Sequence, residues 1–432
     1  MKKELLSADF GQSAGVIRRL NGGNLGPMLS NGYSNGGKFV EEFAELEIPI
    51  TRLHDAPLGN KGMRLVDIQH IFGNWKADAQ NPDNYYFIQT DDYLRTIRAG
   101  GSDILFRLGT SIEHSLNNYY AFPPADYEKW TDICINIIRH YNEGWNNGFS
   151  WNIRYWEIWN EPDVVKKMWN SSIEEYCRLY ETAAKRIKAR FPGVKIGGPV
   201  LARVRPGSND ENARIFLGYC RDHQVPLDFF SWHSYSGPRQ PFAILDEARR
   251  ARELLDRYGF HETELHLTEW RYLEKWDRIY NIMGKHPAGG IKVASHLIHC
   301  LIAWQKSPLA MTCFYLIGHG SSSWSPWFYG KKQKLYYAFR AFAEMAHYEN
   351  LVRCASDSEA IRLIAGRDAQ GKRAILLAVF LPEGESCGEI AVRLPSGMES
   401  VKWKVLLLDE AHDLEEIACG TGDNVLILPD SG

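Results

Sequence analysis

The sequence predicts an α/β protein: a (β/α)8 TIM barrel followed by a small C-terminal antiparallel β-sandwich domain. Two observations carry this prediction. Between about residues 20 and 348, eight short apolar or β-branched runs alternate with eight longer stretches of helical period, which is what a (β/α)8 barrel needs. From about residue 350 onward, short strand-like runs separated by turn signals replace that alternation. A doubly wound open sheet is the alternative topology, and the count of eight units favours the barrel.

The barrel strands are predicted from short apolar runs, because buried parallel strands are usually short and apolar on both faces. The predicted strands cover residues 21–25, 49–55, 103–109, 153–160, 194–200, 227–234, 264–270 and 310–317. The clearest helix is predicted over 126–141, where apolar residues at spacings of three and four form one stripe. Similar periods predict helices over 178–190, 245–258 and 291–304.

The end of the chain is predicted to form a separate β domain. Its strands are predicted at 360–365, 373–381, 389–394, 401–408 and 425–428. We therefore divide the chain into a barrel at 16–348 and a β-sandwich at 349–432. Residues 1–15 fit no barrel unit, and pairing with the terminal domain would complete the sandwich.

Composition excludes several classes of function. The 50 Lys and Arg nearly balance the 53 Asp and Glu, so neither nucleic acid nor a membrane is predicted as a partner. The eight cysteines are scattered and show no metal-ligand spacing, which predicts reduced, mostly buried thiols and neither a zinc site nor a disulfide framework. Aromatic residues reach 12%, and such rings commonly hold sugars, although most of them belong to cores.

The N-terminus has only a two-residue apolar stretch after its lysines, which is typical of a cytoplasmic protein. A chain from which a leader had been removed would look the same, so secretion stays open. The formation of a homo-oligomer also stays open.

Two predicted strands end in glutamate, at the end of a barrel where functional groups lie. Strand four ends in Asn160 and Glu161, with Pro162 stopping it, and strand seven ends in Glu269. Hydrolysis of a glycosidic bond needs two carboxyl groups that face one cleft, one to protonate the leaving oxygen and one to attack or direct water. The pair therefore predicts such a reaction, for which no metal or organic cofactor is needed.

These motifs resemble those of known enzymes. Trp159-Asn160-Glu161-Pro162 and Leu267-Thr268-Glu269-Trp270 are similar to the motifs of the retaining (β/α)8 glycosidases. With Arg52-Leu-His54-Asp55 and Ser231-Trp-His233-Ser-Tyr235, the order resembles glycoside hydrolase family 39, the family of β-xylosidases and α-L-iduronidases. The resemblance implies that Glu161 is the acid/base and that Glu269 is the nucleophile.

The resemblance also implies a set of sugar-binding residues. Asn160 would hold the 2-hydroxyl, while His54, Asp55, His233 and Tyr235 would line the glycone pocket. The strand ends and the loops after strands seven and eight add four candidates. Arg271 beside Trp270 and Trp327 near Trp324 belong to the same two rim segments, which suit the stacking of a sugar. The four are Asn24 and Tyr315 facing the cleft, and Trp270 and Trp324 at the rim.

One segment departs from the family pattern. After strand eight, β-xylosidases of this family carry an acidic pair, whereas this chain continues through residues 313–327 without one. The predicted function is therefore a retaining, β-xylosidase-like exo-glycosidase that acts on oligosaccharides or other glycosides, with its sugar left open. An endo-acting glycosidase and a non-catalytic carbohydrate-binding barrel are the alternatives. In a retaining enzyme the two carboxyl groups lie about 5 to 5.5 Å apart, and in an inverting enzyme about 6.5 to 9.5 Å.

Overall fold

A computed structural model describes residues 4–27, 39–55, 64–113, 115–204, 208–318, 322–381, 383–385, 389–393, 400–422 and 425–428. In chain order its strands are β1 (Glu4–Val16), β2 (Gly22–Asn24), β3 (Ile50–Leu53), β4 (Asp103–Leu108), β5 (Tyr155–Ile158), β6 (Lys195–Leu201), β7 (Phe229–Ser236), β8 (Glu264–Tyr272), β9 (Leu309–Phe314), β10 (Trp327–Phe328), β11 (Lys331–Lys332), β12 (Asn350–Ser356), β13 (Ile361–Arg367), β14 (Arg373–Val379), β15 (Ile390–Arg393), β16 (Lys402–Leu408), β17 (Asp413–Thr421) and β18 (Val425–Leu428).

The helices cover the outside of the barrel and connect its strands. They are α1 (Val40–Ala44), α2 (Ile68–Ile71), α3 (Ile88–Ala99), α4 (Tyr127–Glu143), α5 (Ile173–Arg190), α6 (Ser208–Asp222), α7 (Ala243–Arg257), α8 (Arg278–Met283), α9 (Ile291–Ala303) and α10 (Lys334–Ala346). Helix α4 shows why such segments are helical: the Asp126 side chain accepts a hydrogen bond from the Lys129 N–H at 3.0 Å, and Gly144 ends the helix at φ 73°. Among the described residues, every helix is too short or too polar to cross a membrane.

Strands β2 to β9 pair in parallel, in chain order, and close into a barrel. Each of the eight strands predicted for the barrel overlaps one of them, so the barrel prediction is confirmed and the open sheet is excluded. Closure between β2 and β9 depends on a small residue, because a Cβ atom added at Gly22 would lie 2.4 Å from the carbonyl oxygen of Thr312.

A six-stranded sheet follows the barrel, in the order β14-β13-β12-β1-β15-β18, and β16 pairs with β17 in a separate hairpin. Strand β1 lies antiparallel to β12 and parallel to β15, so this sheet is mixed rather than wholly antiparallel. The division of the chain at residue 348 stays a prediction.

Two strands of these sheets have no counterpart in the sequence prediction. Strand β12 has polar residues at Asn350, Arg353 and Ser356, which break its apolar pattern. Strand β17 is largely exposed and carries Glu415 and Glu416 at its centre, so backbone pairing with β16 holds it rather than burial of apolar side chains.

The six-stranded sheet packs on the barrel through α9, which contacts β13 and β14. The Nε atom of Arg362 donates a hydrogen bond to His299 Nε2 at 2.7 Å, and the rings of Phe242 and Phe380 lie 5.1 Å apart.

The cysteines of the described residues form no disulfide, and Cys134, Cys177, Cys220, Cys300 and Cys313 are buried. Of the other three, Cys354 is partly buried, Cys419 is exposed and Cys387 lies outside the described residues, so the prediction of reduced, mostly buried thiols is confirmed for the described residues.

Candidate active site

The backbone after β5 turns two polar side chains toward the mouth of the barrel. Trp159 and Glu161 have φ angles of 70° and 47°, a left-handed conformation that such residues seldom adopt. The turn is held because the Trp159 N–H donates to the Leu108 oxygen at 2.6 Å and the Glu161 N–H donates to the Val200 oxygen at 2.9 Å. Asn160 lies buried between them.

Glu269 lies on β8, within the upper part of the barrel. Its side chain is 9% exposed, whereas that of Glu161 is 21% exposed. One side-chain oxygen of Glu161 and one of Glu269 lie within 4.8 Å of each other. His233 Nδ1 lies 2.7 Å from a Glu161 oxygen and 3.8 Å from a Glu269 oxygen. The structure therefore brings the two predicted catalytic glutamates together, with His233 between them.

Arg52 connects the residues beneath this pair. Its side chain is fully buried in the barrel and forms an ion pair with the equally buried Glu157 at 2.6 Å. The same guanidinium donates to Asn160 Oδ1 at 2.7 Å, Asn24 Oδ1 at 3.1 Å and Glu269 Oε2 at 3.3 Å. Although burial opposes its charge, the carboxylates of Glu157 and Glu269 raise the pKa of Arg52. Arg52 is therefore a permanent cation that orients both amides and one catalytic carboxylate.

The two predicted amide residues differ in what remains available for a ligand. Asn24 donates from Nδ2 to the Thr268 and Cys313 oxygens at 2.9 and 3.1 Å, so both of its amide atoms are engaged. Asn160 uses Oδ1 on Arg52, and within the described part of the chain its Nδ2 has no hydrogen-bond partner. Asn160 can therefore donate to a ligand, whereas Asn24 acts by positioning Arg52.

The environment of Glu161 favours its protonated form. Burial raises the pKa of Glu161 to about 7, and Asp55 adds to this effect, while Arg52 opposes it. His233 Nδ1 lies 2.7 Å from Glu161 Oε1, and burial lowers the pKa of His233 to about 4. A neutral imidazole therefore shares one hydrogen bond with Glu161, and a proton can be held on the carboxyl group at neutral pH.

Glu269 has more donors than Glu161. Tyr235 donates its hydroxyl hydrogen to Glu269 Oε1, and Arg52 approaches Oε2. Burial raises the pKa of Glu269 and the neighbouring Glu161 adds to this, whereas Arg52 and the Tyr235 hydroxyl lower it. When the pair holds a single proton, the cation and the hydroxyl favour the negative charge on Glu269 and leave the proton on Glu161.

A second polar group lies after β3, with His54 buried and Asp55 partly buried. His54 Nε2 lies 3.5 Å from Asp55 Oδ2, and the Tyr315 hydroxyl donates to the same oxygen at 3.2 Å. Burial lowers the pKa of His54 well below its ordinary value, and the nearby Arg52 adds to this effect. His54 is therefore neutral, and Asp55 supplies the negative charge at this side of the site.

Aromatic rings form one wall of the mouth. The ring of Tyr235 lies 5.0 Å from Trp276 and 6.5 Å from both Tyr315 and Trp324. Arg271 holds this wall from below by donating to the Tyr315 and Trp324 oxygens, each at 2.7 Å. Trp324 is partly exposed here, which agrees with its predicted place at the rim.

The rim prediction is wrong for Trp270. Successive strand residues point to opposite faces, so Trp270 points away from the barrel interior, into the helical layer. It is fully buried and meets Trp304 and Phe314 edge to face, with ring centroids 4.6 and 5.1 Å away. Trp327 is also buried and packs on Phe39, so neither indole can stack on a ligand.

Sequence reasoning missed four residues of the site: Arg52 and Glu157 inside the barrel, Trp276 in the wall, and Asp163. The Asp163 carboxylate accepts from the Ala202 N–H at 2.9 Å, which ties the loop bearing Glu161 to the end of β6. A charge in the middle of an apolar strand was the signal for Arg52 and Glu157. No sequence signal separates Trp276 from the other tryptophans.

Glu161, His233 and Glu269 are close enough to offer three ligand atoms to a metal ion. The Arg52 guanidinium lies 3.3 Å from Glu269 Oε2, and its charge would repel a cation at that position. The arrangement is better suited to moving a proton between two carboxyl groups. Residues 319–321 of the altered segment after strand eight lie outside the described residues.

The chain is similar to known glycoside hydrolases. Residues 67–275 match the family model described as glycosyl hydrolases family 39. A β-xylosidase of Geobacillus stearothermophilus is 31% identical over 166 residues, which span 34% of this chain and 32% of that relative's own length.

Two solved structures share the fold over nearly the whole chain. A glucosidase from Croceicoccus marinus has a TM-score of 0.79 at 21% identity, covering 99% of this chain and 96% of its own. A monomeric β-xylosidase from Caulobacter crescentus has a TM-score of 0.71 at 16% identity, covering 98% and 97%. These neighbours confirm the predicted fold class of a barrel with a β-sandwich.

Proposed function

Because residues 67–275 match the family model of glycosyl hydrolases family 39, we propose that the protein is a retaining glycosidase that cleaves glycosides by double displacement. The observation that carries this proposal is the facing pair of Glu161 and Glu269, whose surroundings differ. Glu161 is more exposed and has a pKa of about 7, and Glu269 is held by Arg52 and Tyr235. Such separated environments are how one fold assigns an acid and a nucleophile.

The spacing of the two carboxyl groups supports retention of configuration. A direct approach of a carboxylate to the anomeric carbon needs about 5 to 5.5 Å between the groups, and a water between them would need about 6.5 to 9.5 Å. The separation within 4.8 Å between one oxygen of each side chain lies close to the shorter range.

In the first step, Glu269 attacks the anomeric carbon while Glu161 donates its proton to the leaving oxygen. The glycosidic C–O bond breaks, and the leaving group departs as a neutral alcohol. Two hydrogen bonds keep Glu269 oriented for this attack. Arg52 donates one of them at 3.3 Å, and the Tyr235 hydroxyl donates the other. The product of this step is a glycosyl ester on Glu269.

In the second step, Glu161 is a carboxylate and accepts a proton from water, whose oxygen bonds to the anomeric carbon as the ester bond to Glu269 breaks. The neutral His233, 2.7 Å from Glu161 Oε1, can stabilise this carboxylate through its Nδ1–H. Both catalytic roles are filled by side chains of the chain itself, so the mechanism includes no cofactor step.

The proposed substrate is an exo-cleaved β-xyloside or a related glycoside. Asn160 Nδ2 is placed to donate to the 2-hydroxyl, a contact that strengthens in the transition state. His54, Asp55 and Tyr315 offer further hydrogen-bonding groups on the other side of the site. Asp55 supplies an acidic group to the pocket, although the strand-eight segment carries none among residues 313–327.

The test is hydrolysis of aryl glycosides carrying β-D-xylose, α-L-arabinose, β-D-glucose, β-D-galactose and α-L-iduronic acid. Wild type should turn over at least one of them, and both Glu161→Ala and Glu269→Ala should lose most activity. Azide should then rescue the two variants with products of opposite anomeric configuration. Glu253→Ala, which changes an exposed helix glutamate, is the control that should behave as wild type.

Two outcomes would reject the proposal. Azide products of the same configuration in both variants would contradict the assignment of acid and nucleophile. Absence of turnover on the whole panel, with sugar binding retained, would instead favour a carbohydrate-binding barrel.

A further inference from the structure

The loop after β8 carries an apolar surface that is open to solvent. Trp276, Ile279 and Met283 are 71%, 73% and 81% exposed. Ile279 and Met283 are four residues apart and therefore share one face of α8, while Trp276 lies in the bend just before this helix. We call these three side chains the apolar platform.

The apolar platform is continuous with the catalytic site. The ring of Trp276 lies 5.0 Å from that of Tyr235, whose hydroxyl donates to Glu269. Trp276 also lies 6.0 Å from Trp324 on the wall of the mouth. A group that leaves the pocket on this side therefore passes Trp276, which precedes α8 in the chain.

Two polar groups beside the apolar platform make contacts within the same loop. The Asp277 carboxylate accepts from the Tyr280 N–H at 2.7 Å, and the Lys275 ammonium lies 4.6 Å from the centre of the Tyr280 ring. A depression of about 390 Å³ lies here, lined by Lys275, Asp277, Ile279, Tyr280, Met283 and Gly284. A sugar needs hydrogen-bonding partners around its ring, and isoleucine and methionine offer none.

We propose that the apolar platform binds the leaving group of the substrate and that this group is apolar, an alkyl or aryl aglycone rather than a second sugar. This inference rests on the proposed glycosidase function and specifies its substrate class. The other occupant to consider is a second copy of the chain. Three side chains supply far less than the roughly 800 Å² per partner that a standard interface buries.

The test compares ethyl and n-octyl β-D-xylosides, or the same pair on whichever sugar the aryl panel identifies. The two alcohols differ little in acidity, so a difference in kcat/KM reports binding of the longer chain. Wild type should prefer the octyl glycoside by at least about tenfold, since six added methylene groups are partly removed from water. Trp276→Ala and the double variant Ile279→Ser/Met283→Ser should each lower this octyl-to-ethyl ratio severalfold.

Val16→Ser is the matched control, because it removes a 65% exposed aliphatic side chain from β1 and should leave the ratio unchanged. Equal kcat/KM for the two glycosides in wild type would overturn the inference, while turnover of the ethyl glycoside would still support the glycosidase. Failure to hydrolyse any glycoside would overturn the glycosidase proposal itself. Loss of a wild-type dimer in the variants, seen by sedimentation with an unchanged ratio, would assign the apolar platform to a second copy.

Discussion

Replacing Arg52 by methionine tests the centre of the site, because this side chain joins the core to the catalysis. Arg52 and Glu157 are both 0% exposed and 2.6 Å apart, so water cannot replace the lost partner. Removing one member of a buried ion pair leaves an uncompensated charge, and we expect the free energy of unfolding to fall by about 3 to 5 kcal/mol. Urea denaturation followed by tryptophan fluorescence measures this change.

The double variant Arg52→Met/Glu157→Leu removes the stranded charge and should recover most of the lost stability. It should not recover activity, because Asn160 and Glu269 still lack their donor at 2.7 and 3.3 Å. Loss of about 3 kcal/mol of charged hydrogen bonding corresponds to roughly a hundredfold in kcat/KM. An aryl glycoside assay on both variants measures this second effect.

Arg249→Met is the control variant, because it replaces an exposed arginine by methionine without leaving a buried charge unpaired. Arg249 pairs with Glu253 at 2.6 Å, but the two side chains are 60% and 56% exposed, so the change should stay below about 1 kcal/mol. If Arg52→Met/Glu157→Leu were as unstable as Arg52→Met, the argument from an unpaired buried charge would be refuted. A double variant with wild-type activity would refute the role of Arg52 at the site.

Three further predictions concern the catalytic pair and the tryptophans. The pKa of Glu161 is raised to about 7, and Glu161 must be protonated to act as the acid. We therefore expect kcat/KM on alkyl glycosides to fall as the pH rises through about 7. A pH profile that stays flat to well above neutrality would contradict this prediction. In Tyr235→Phe, Glu269 loses a hydrogen-bond donor that lowers its pKa. The acidic limb of the pH profile should therefore move to higher pH, and kcat/KM should fall about tenfold or more. An acidic limb that does not move would argue against the hydrogen bond from Tyr235 to Glu269. Trp270→Ala should lower the free energy of unfolding by about 3 to 5 kcal/mol, whereas Trp324→Ala should mainly raise KM, and the reverse pattern would reject the placement of both indoles.

The barrel strands were predictable because burial on both faces leaves continuous apolar runs in the sequence. The two glutamates were predictable because each stands at the end of such a run. Arg52 was missed as a site residue because its role depends on side chains from several other strands that meet inside the barrel, and spacing along one strand does not show this. Trp270 was misplaced although the alternation of strand residues places it opposite to Glu269. Strand β17 was missed because backbone pairing, rather than an apolar pattern, holds it.

Strand β1 lies between β12 and β15. This position affects when the last sheet can form as the chain is synthesised. Its register pairs Leu6 with Ser356 on one side and with Val392 on the other. At roughly 10 residues per second, a ribosome needs on the order of half a minute to make the stretch between Val16 and Asn350. The barrel strands become available during that interval, while β1 waits with both of its edges unpaired. The last sheet can therefore close around β1 only after almost the whole chain has been synthesised.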